Sequence, residues 1–283
     1  MPENYRSSET QFLDKTNRIS FKYNGKKYYG YKGDTLASAL LSNGVHLIGR
    51  SFKYHRPRGI MTCGSEEPNA IVQIGGNGSF TEPNVRATEQ EIYEGLEASS
   101  QNCWPSVEFD VGGINNFISP VIPAGFYYKT FMWPKKFWYS LYEPAIRMSA
   151  GLGKSPTQSD PELYEHKYIH CDVLIVGGGI AGIIAARISA DNGNNTVLID
   201  DKKILGGTTI FQDNENFKIN NEISSLWLNN QIKELKNKDN LTIKLRTSLA
   251  AYHSYNFLLA RENLSDHKSL DKRSNKLRQR LWK

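Results

Sequence analysis

CDVLIVGGGIAGIIAARISADNGNNTVLIDD, residues 171–201, decides how the second half of this 283-residue chain is read. Cys171 to Val176 is an apolar run of strand length, which predicts a parallel strand buried on both faces. Gly177-Gly178-Gly179-Ile180-Ala181-Gly182 follows at once. A helical stretch over Ile183 to Asn192 comes next, with Ala185, Ala186 and Ile188 expected to face inward. Thr196 to Ile199 then forms a second strand that closes on Asp200 and Asp201. Strand, G-x-G-x-x-G turn, helix, strand and acid in that order are the parts of a Rossmann-type dinucleotide-binding unit.

Each part has a physical task. Gly177 permits the tight turn out of the strand, Gly179 lets the backbone approach a pyrophosphate, and Gly182 allows the helix to pack closely on the strand. The N-terminus of the helix presents unpaired N–H groups to the phosphates. Asp200, eighteen residues past Gly182, is placed to accept the hydroxyls of an adenosine ribose, which favours NAD or FAD over a 2′-phosphorylated cofactor. Leu205-Gly206-Gly207-Thr208-Thr209 adds a second glycine pair, read either as backbone that approaches the cofactor or as an ordinary loop. The alternative for the whole motif is a glycine-rich turn in a degenerate unit. Beyond it, Ile223 to Leu235 has helical spacing, and Leu241 to Leu245, Ala250 to Tyr252 and Phe257 to Leu259 read as a meander of short strands.

Upstream the pattern changes. After a polar lead over 1–17, Arg18 to Tyr23 and Lys26 to Tyr31 alternate around Asn24-Gly25, a tight hairpin turn. Asp34 is positioned to cap a short helix carrying Leu36, Ala37, Leu40 and Leu41, stopped at Asn43-Gly44. With a further strand over Ala70 to Ile74, this opens a β-grasp domain placed at 18–95. From 96 to 168 prolines interrupt every long element, while Phe126, Tyr127, Tyr128, Phe131, Trp133, Phe137, Trp138, Tyr139 and Tyr142 crowd together. Such side chains pack on the chain's own domains, form a docking surface for a missing domain or another subunit, or do both. The dinucleotide-binding domain occupies 169–283.

Composition excludes other classes. Lys and Arg number 35 against 29 Asp and Glu, a net charge of +6. Of this, Asp266 to Lys283 contributes seven cations against two acids, and that end reads as a solvated loop or an interrupted element rather than a nucleic-acid surface. Three cysteines, none in a CxxC pair, make no disulfide framework. No stretch approaches the roughly 20 apolar residues a membrane helix needs, and the N-terminus has no secretory pattern, so a cytoplasmic protein is expected. Six histidines without metal-ligand spacing predict no metal site. No nucleophile elbow is present, and no catalytic residue can be nominated.

Four blocks together carry a resemblance: GRSFKYHRPRGI at 49–60, GSEEPNA at 64–70, PAGFYYKTFMWP at 123–134 and the run from Cys171 to Gly182. Over about 18–283 the chain resembles the alpha subunit of heterotetrameric sarcosine oxidase. The resemblance implies a ferredoxin-like β-grasp domain followed by a Rossmann module holding NAD, either structural or redox-active. The NAD site would be Gly177, Gly178, Gly179, Ala181, Gly182, Asp200, Asp201, Lys202, Gly207 and Thr208, with Asp201, Lys202 and Thr208 carried over from the family alone. It further implies FAD on a beta subunit, FMN at the alpha–beta interface, and gamma and delta partners. The whole complex would demethylate sarcosine to glycine with oxygen, giving peroxide and, with tetrahydrofolate, methylenetetrahydrofolate. Two departures stand out. Cys63 lacks the neighbouring cysteines that a [2Fe-2S] cluster requires, so no cluster is expected. The chain is also much shorter than family members, which reads as an N-terminal fragment with an incomplete Rossmann domain, inactive on its own. Other readings are the matching subunit of an amino-acid or opine dehydrogenase, and a non-catalytic assembly module with structural NAD.

Overall fold

The computed structural model describes residues 5–6, 13–76, 78–117, 119–121, 125, 133–149, 151, 153–211, 217–273 and 276–283. The chain divides into two compact units, Met1–Pro161 with His267–Ser274, and Glu162–Asp266 with Asn275–Lys283.

In the first unit, β1 (Asp14–Tyr23) and β2 (Lys26–Lys32) form the expected hairpin. Asn24 and Gly25 both have positive φ, 48° and 76°, the conformation a two-residue turn needs to match strand twist. The helix α1 (Leu36–Ser42) follows, one residue later than its expected cap. Thr35, not Asp34, is the N-cap, exchanging hydrogen bonds with Ser38. Asp34 is instead buried, accepting from Arg6, the Ser38 hydroxyl and the Tyr31 N–H. Leu36, Ala37, Ala39 and Leu40 enter the core, while Leu41 lies on the outer side.

A short pair, β3 (Gly49–Arg50) and β4 (Pro57–Arg58), precedes β5 (Ile71–Ile74), β6 (Glu82–Arg86) and β7 (Leu96–Ser100). The main sheet has the order β2-β1-β7-β5-β6, with β7 parallel to β1 through Phe21 opposite Leu96 and the other pairs antiparallel. A hairpin, a helix, and a last strand lying parallel beside the first make this a β-grasp sheet. The sheet therefore runs past residue 95. Leu96–Ser100 is its central strand, although LEASS has little of the β-branched or aromatic character that marks strands. Phe21, Tyr23, Leu36, Leu40, Ile48, Val72 and Leu96 are almost fully buried, each contributing about 1.5–3 kcal/mol of transfer free energy.

Phe126, Tyr127, Tyr128 and Phe131 of the aromatic segment lie outside the described residues. Of the others, Trp133 and Tyr139 are 81% and 86% exposed, and Trp138 and Tyr142 are partly buried around α2 (Glu143–Ser149).

The second unit holds β8 (Leu163–Lys167), β9 (Val173–Val176), α3 (Ile180–Asp191), β10 (Thr196–Ile199), the small pair β11 (Lys218–Ile219) and β12 (Glu222–Ile223), α4 (Ser224–Lys236), β13 (Leu241–Lys244), β14 (Thr247–His253), β15 (Phe257–Asn263) and β16 (Leu277–Trp282). A parallel sheet of order β13-β10-β9 carries α3 and α4, packed through Ile183, Ala186, Leu198, Trp227, Leu228 and Leu235.

Three sequence expectations are corrected here. β10, with all four residues buried, is the middle strand. β9 lies at the sheet's edge, so Val173 to Ile175 are half-buried and Val176 is 53% exposed. On α3 the inward positions are Ile183, Ala186 and Ala190, three and four residues apart, whereas Ala185 and Ile188 face outward. Leu241–Lys244 belongs to the parallel sheet and not to the meander. The meander itself is a four-stranded sheet, β14-β15-β16-β8.

The basic C-terminal end supplies β16, a middle strand of that sheet, which overturns the solvated-loop reading. Its cations are neutralised in place: Arg278 by Glu162 and Asp266, and Arg280 by Glu165 and Glu262.

Candidate functional site

The glycine turn joins β9 to α3. Gly177 has φ 102°, a left-handed value that costs glycine little. A Cβ on Gly182 would lie 1.8 Å from the Gly177 carbonyl oxygen, so the first turn of the helix rests directly on the turn's backbone. Gly179 is the N-cap of α3, and no side chain caps that end. The first-turn N–H groups therefore lack a side-chain acceptor there, a fit to an anionic ligand at a glycine-lined helix start.

Asp200 follows β10 and turns toward this loop. It is 7% exposed, its Oδ2 accepts from the Gly178 N–H at 2.6 Å, and its Oδ1 accepts from the Lys202 N–H at 2.7 Å. Burial pushes its carboxyl above the ordinary value, while those two N–H donors pull the other way. Each oxygen keeps a lone pair for a further donor such as a ribose hydroxyl.

The second glycine pair closes the site. The Gly206 N–H donates to the Gly178 carbonyl at 2.7 Å. Gly207, at φ 54°, passes so close to Gly179 that an added Cβ would stand 3.0 Å from the Gly179 Cα. Two glycine loops thus meet backbone to backbone, which only residues without side chains allow.

The structure brings Gly177, Gly178, Gly179, Gly182, Asp200 and Gly207 together. Ala181, Asp201 and Thr208 are exposed, and Lys202 contributes its main chain to Asp200. Two further residues shape the loop. Gly206 makes the bond to Gly178, and the Leu205 Cδ2 stands where a Cβ on Gly178 would be, at 2.3 Å. Their signal was the L-G-G triplet, five residues beyond the acid.

The first unit has its own ordered loop. The buried Glu67 carboxylate accepts the main-chain N–H groups of Met61, Thr62, Asn69 and Ala70 at 2.7–3.1 Å. Burial opposes ionisation there, yet these four donors hold its carboxyl below the usual range. Cys63 is exposed and Cys103 half-buried. Among the described residues, no three His, Cys, Asp or Glu side chains converge as a metal site would need.

Comparison with known proteins follows the same division. Residues 16–103 match the 2Fe-2S iron-sulfur cluster binding domain family, and residues 172–256 match the FAD dependent oxidoreductase family. Sarcosine oxidase subunit alpha of Rhizobium meliloti is 44% identical over 93% of this chain. By sequence, the chain is a homologue of sarcosine oxidase alpha subunits. The Rhizobium subunit is matched over 26% of its length, and that of Corynebacterium sp. strain U-96, at 26% identity, over 23%. The chain thus spans about a quarter of these alpha subunits. A flavin-containing amine oxidase B of Cavia porcellus matches over 48 residues at 44% identity. L-proline dehydrogenase from P. horikoshii shares the fold, with a TM-score of 0.55 and 17% identity over 96% of this chain and 40% of that one.

The cluster-binding family match meets a chain that does not fit a cluster in its usual form. A [2Fe-2S] centre takes four thiolates, and the matched domain has two cysteines, Cys63 and Cys103. The loop around Cys63 directs its N–H groups at the Glu67 carboxylate instead.

Proposed function

We propose that this chain is the nucleotide-holding part of a cytoplasmic sarcosine-oxidising complex, with NAD as the ligand of the second unit. One observation carries the reading. A buried carboxylate and two interlocked glycine loops surround an uncapped helix start, in a chain homologous to sarcosine oxidase alpha subunits. In this reading the N–H groups of the first turn of α3 hold the pyrophosphate. Gly179 and Gly207 leave space for it, and Asp200 takes the ribose hydroxyls while tying β10 to the loop. Asp201, Lys202 and Thr208 line the ribose and phosphate side.

A bound dinucleotide would supply hydride or electron acceptance, or serve structure alone. The amine chemistry itself belongs to FAD on a beta subunit and FMN at the alpha–beta interface, with gamma and delta subunits completing the complex. Sarcosine loses two electrons to oxygen through the flavins, giving peroxide and an imine whose one-carbon unit passes to tetrahydrofolate, leaving glycine. A ferredoxin-like domain without its own four thiolates holds no [2Fe-2S] cluster in this reading and acts as scaffold.

The test is co-expression with beta, gamma and delta subunits. The cofactors released on denaturation would be identified by chromatography, and sarcosine-dependent oxygen uptake would be measured. The expected result is NAD in proportion to this chain, lost in Asp200→Ala, together with peroxide formation. No adenine dinucleotide in the wild type would overturn the site assignment. Turnover only with an artificial dye would favour a dehydrogenase, and full turnover without NAD an assembly role. A second reading, FAD at the same loop, is favoured by the FAD dependent oxidoreductase match over 172–256. The same chromatogram distinguishes the two.

A further inference from the structure

A cavity of about 470 Å³ lies wholly within the first unit, among residues that the dinucleotide reading does not use. Arg50, Lys53, Arg56 and Arg58 line it, with amides that include Asn69 and Asn102, and no acidic side chain is among its described lining residues. Its size suits a small-molecule ligand. Four cations facing one cavity without an acid repel one another, a cost that an incoming anion relieves.

The cations are carried on a braced loop. β3 and β4 pair Gly49 with Arg58 and Arg50 with Pro57. Between them, the Ser51 N–H donates to the Arg56 carbonyl and the His55 N–H to the Ser51 carbonyl, both at 2.9 Å. His55 is clamped to the buried Asp110 at 2.6 Å, and Asp110 also accepts from the Trp104 and Gly112 N–H groups. Gly112 must be glycine, because a Cβ there would fall 2.2 Å from the His55 Nδ1.

Arg50 donates to the carbonyls of Val107, His55 and Glu108, so its charge braces the loop against neutral acceptors. Arg56 gives its Nε to Asn116 and remains exposed, and Arg58 is exposed with no side-chain hydrogen bond or ion pair among the described residues. Phe52, 57% exposed, also lines the cavity.

We propose that this cavity is a second ligand site, for a phosphorylated small molecule of mononucleotide size. Arg56 and Arg58 bind its phosphoryl oxygens, and Phe52 offers a face to its ring. Guanidinium forks match phosphate geometry, and the hydrogen-bonded loop that carries them is already in place, which leaves only the side chains to be ordered on binding. The proposal stands apart from the dinucleotide reading, since the two sites lie in different units.

The test uses the full chain, with inorganic phosphate and adenosine 5′-monophosphate as probes in calorimetric titrations with NAD present throughout at saturating concentration. Saturable one-to-one binding is expected, tighter for the nucleotide than for phosphate and absent for adenosine. Arg58→Gln and Arg56→Gln should each weaken it by about tenfold or more, the loss of one charge-assisted hydrogen bond. Should a variant fail to fold, arginine modification of the wild-type chain by phenylglyoxal supplies the answer. Mass spectrometry should then show Arg56 and Arg58 protected by adenosine 5′-monophosphate. No saturable binding, binding indifferent to both variants, or labelling without protection would each overturn the proposal.

Discussion

Gly182→Ala puts the proposed dinucleotide site to its sharpest test. The added methyl would lie 1.8 Å from the Gly177 carbonyl oxygen. Ordinary contact begins near 3.4 Å, so the glycine turn and α3 must separate by about 1.6 Å. No rotamer change relieves the clash, since both partners are fixed to the backbone. Overpacking of this kind costs about 1–3 kcal/mol, while replacing a helical glycine by alanine returns about 1 kcal/mol. The net loss of up to about 2 kcal/mol should lower the Tm of the second unit by up to roughly 15 °C. Dinucleotide affinity should fall at least about tenfold, because the same movement carries the first-turn N–H groups away from the phosphates. The control is Ala185→Gly, exposed on the same helix, which costs about 1 kcal/mol by propensity alone and should leave affinity within about twofold. Thermal melts and titrations of NAD and FAD decide the matter. If Gly182→Ala binds as well as Ala185→Gly does, the close packing of turn and helix has no bearing on the ligand, and the reasoning fails.

Asp200→Asn should destabilise the chain by about 2 kcal/mol below the unfolded value of 3.8, since the amide, with one oxygen, can accept from only one of the Gly178 and Lys202 N–H groups. The Asp200 carboxyl is raised in the folded state. Its contribution is therefore fully present below the unfolded value and lost as pH rises through the folded one, and denaturant midpoints should show the Asp200→Asn penalty shrinking toward neutral pH from the acid side. Glu67 runs the opposite way. Its folded value is depressed, so its stabilisation is present above pH 4.5 and is lost as pH falls through the folded value. Glu67→Gln should cost about 2–3 kcal/mol at pH 7 and flatten the acid limb of the first unit's stability profile, followed by circular dichroism. Arg278→Met removes the cation that pairs with the buried Glu162 and with Asp266 and should cost about 3–5 kcal/mol, read from urea midpoints. An unchanged midpoint would show that β16 needs no internal ion pair.

Much of the architecture could be read from the chain alone, for reasons particular to each element. The hairpin was legible because Asn24-Gly25 is a local solution to positive φ, and the glycine turn because its demands fall within six consecutive residues. The burial pattern was not. Nothing within Cys171 to Val176 states that β9 lies at an edge and Thr196–Ile199 in the middle, because strand order is a property of the assembled sheet. The strand over Leu96–Ser100 escaped notice for the same reason, its place set by Phe21 opposite Leu96 and not by its own composition.

Local chemistry therefore determined which residues could serve: glycines where backbone must approach backbone, and an acid after a strand. Only the tertiary structure decided what those residues do to one another. It aimed Asp200 at the Gly178 N–H, laid the second glycine pair on the first, set a basic C-terminal strand among glutamates, and gathered four cations around one cavity. Spacing along a chain constrains a turn or a helical face, whereas the distance between residues far apart in sequence is fixed only when the sheets and helices that carry them pack.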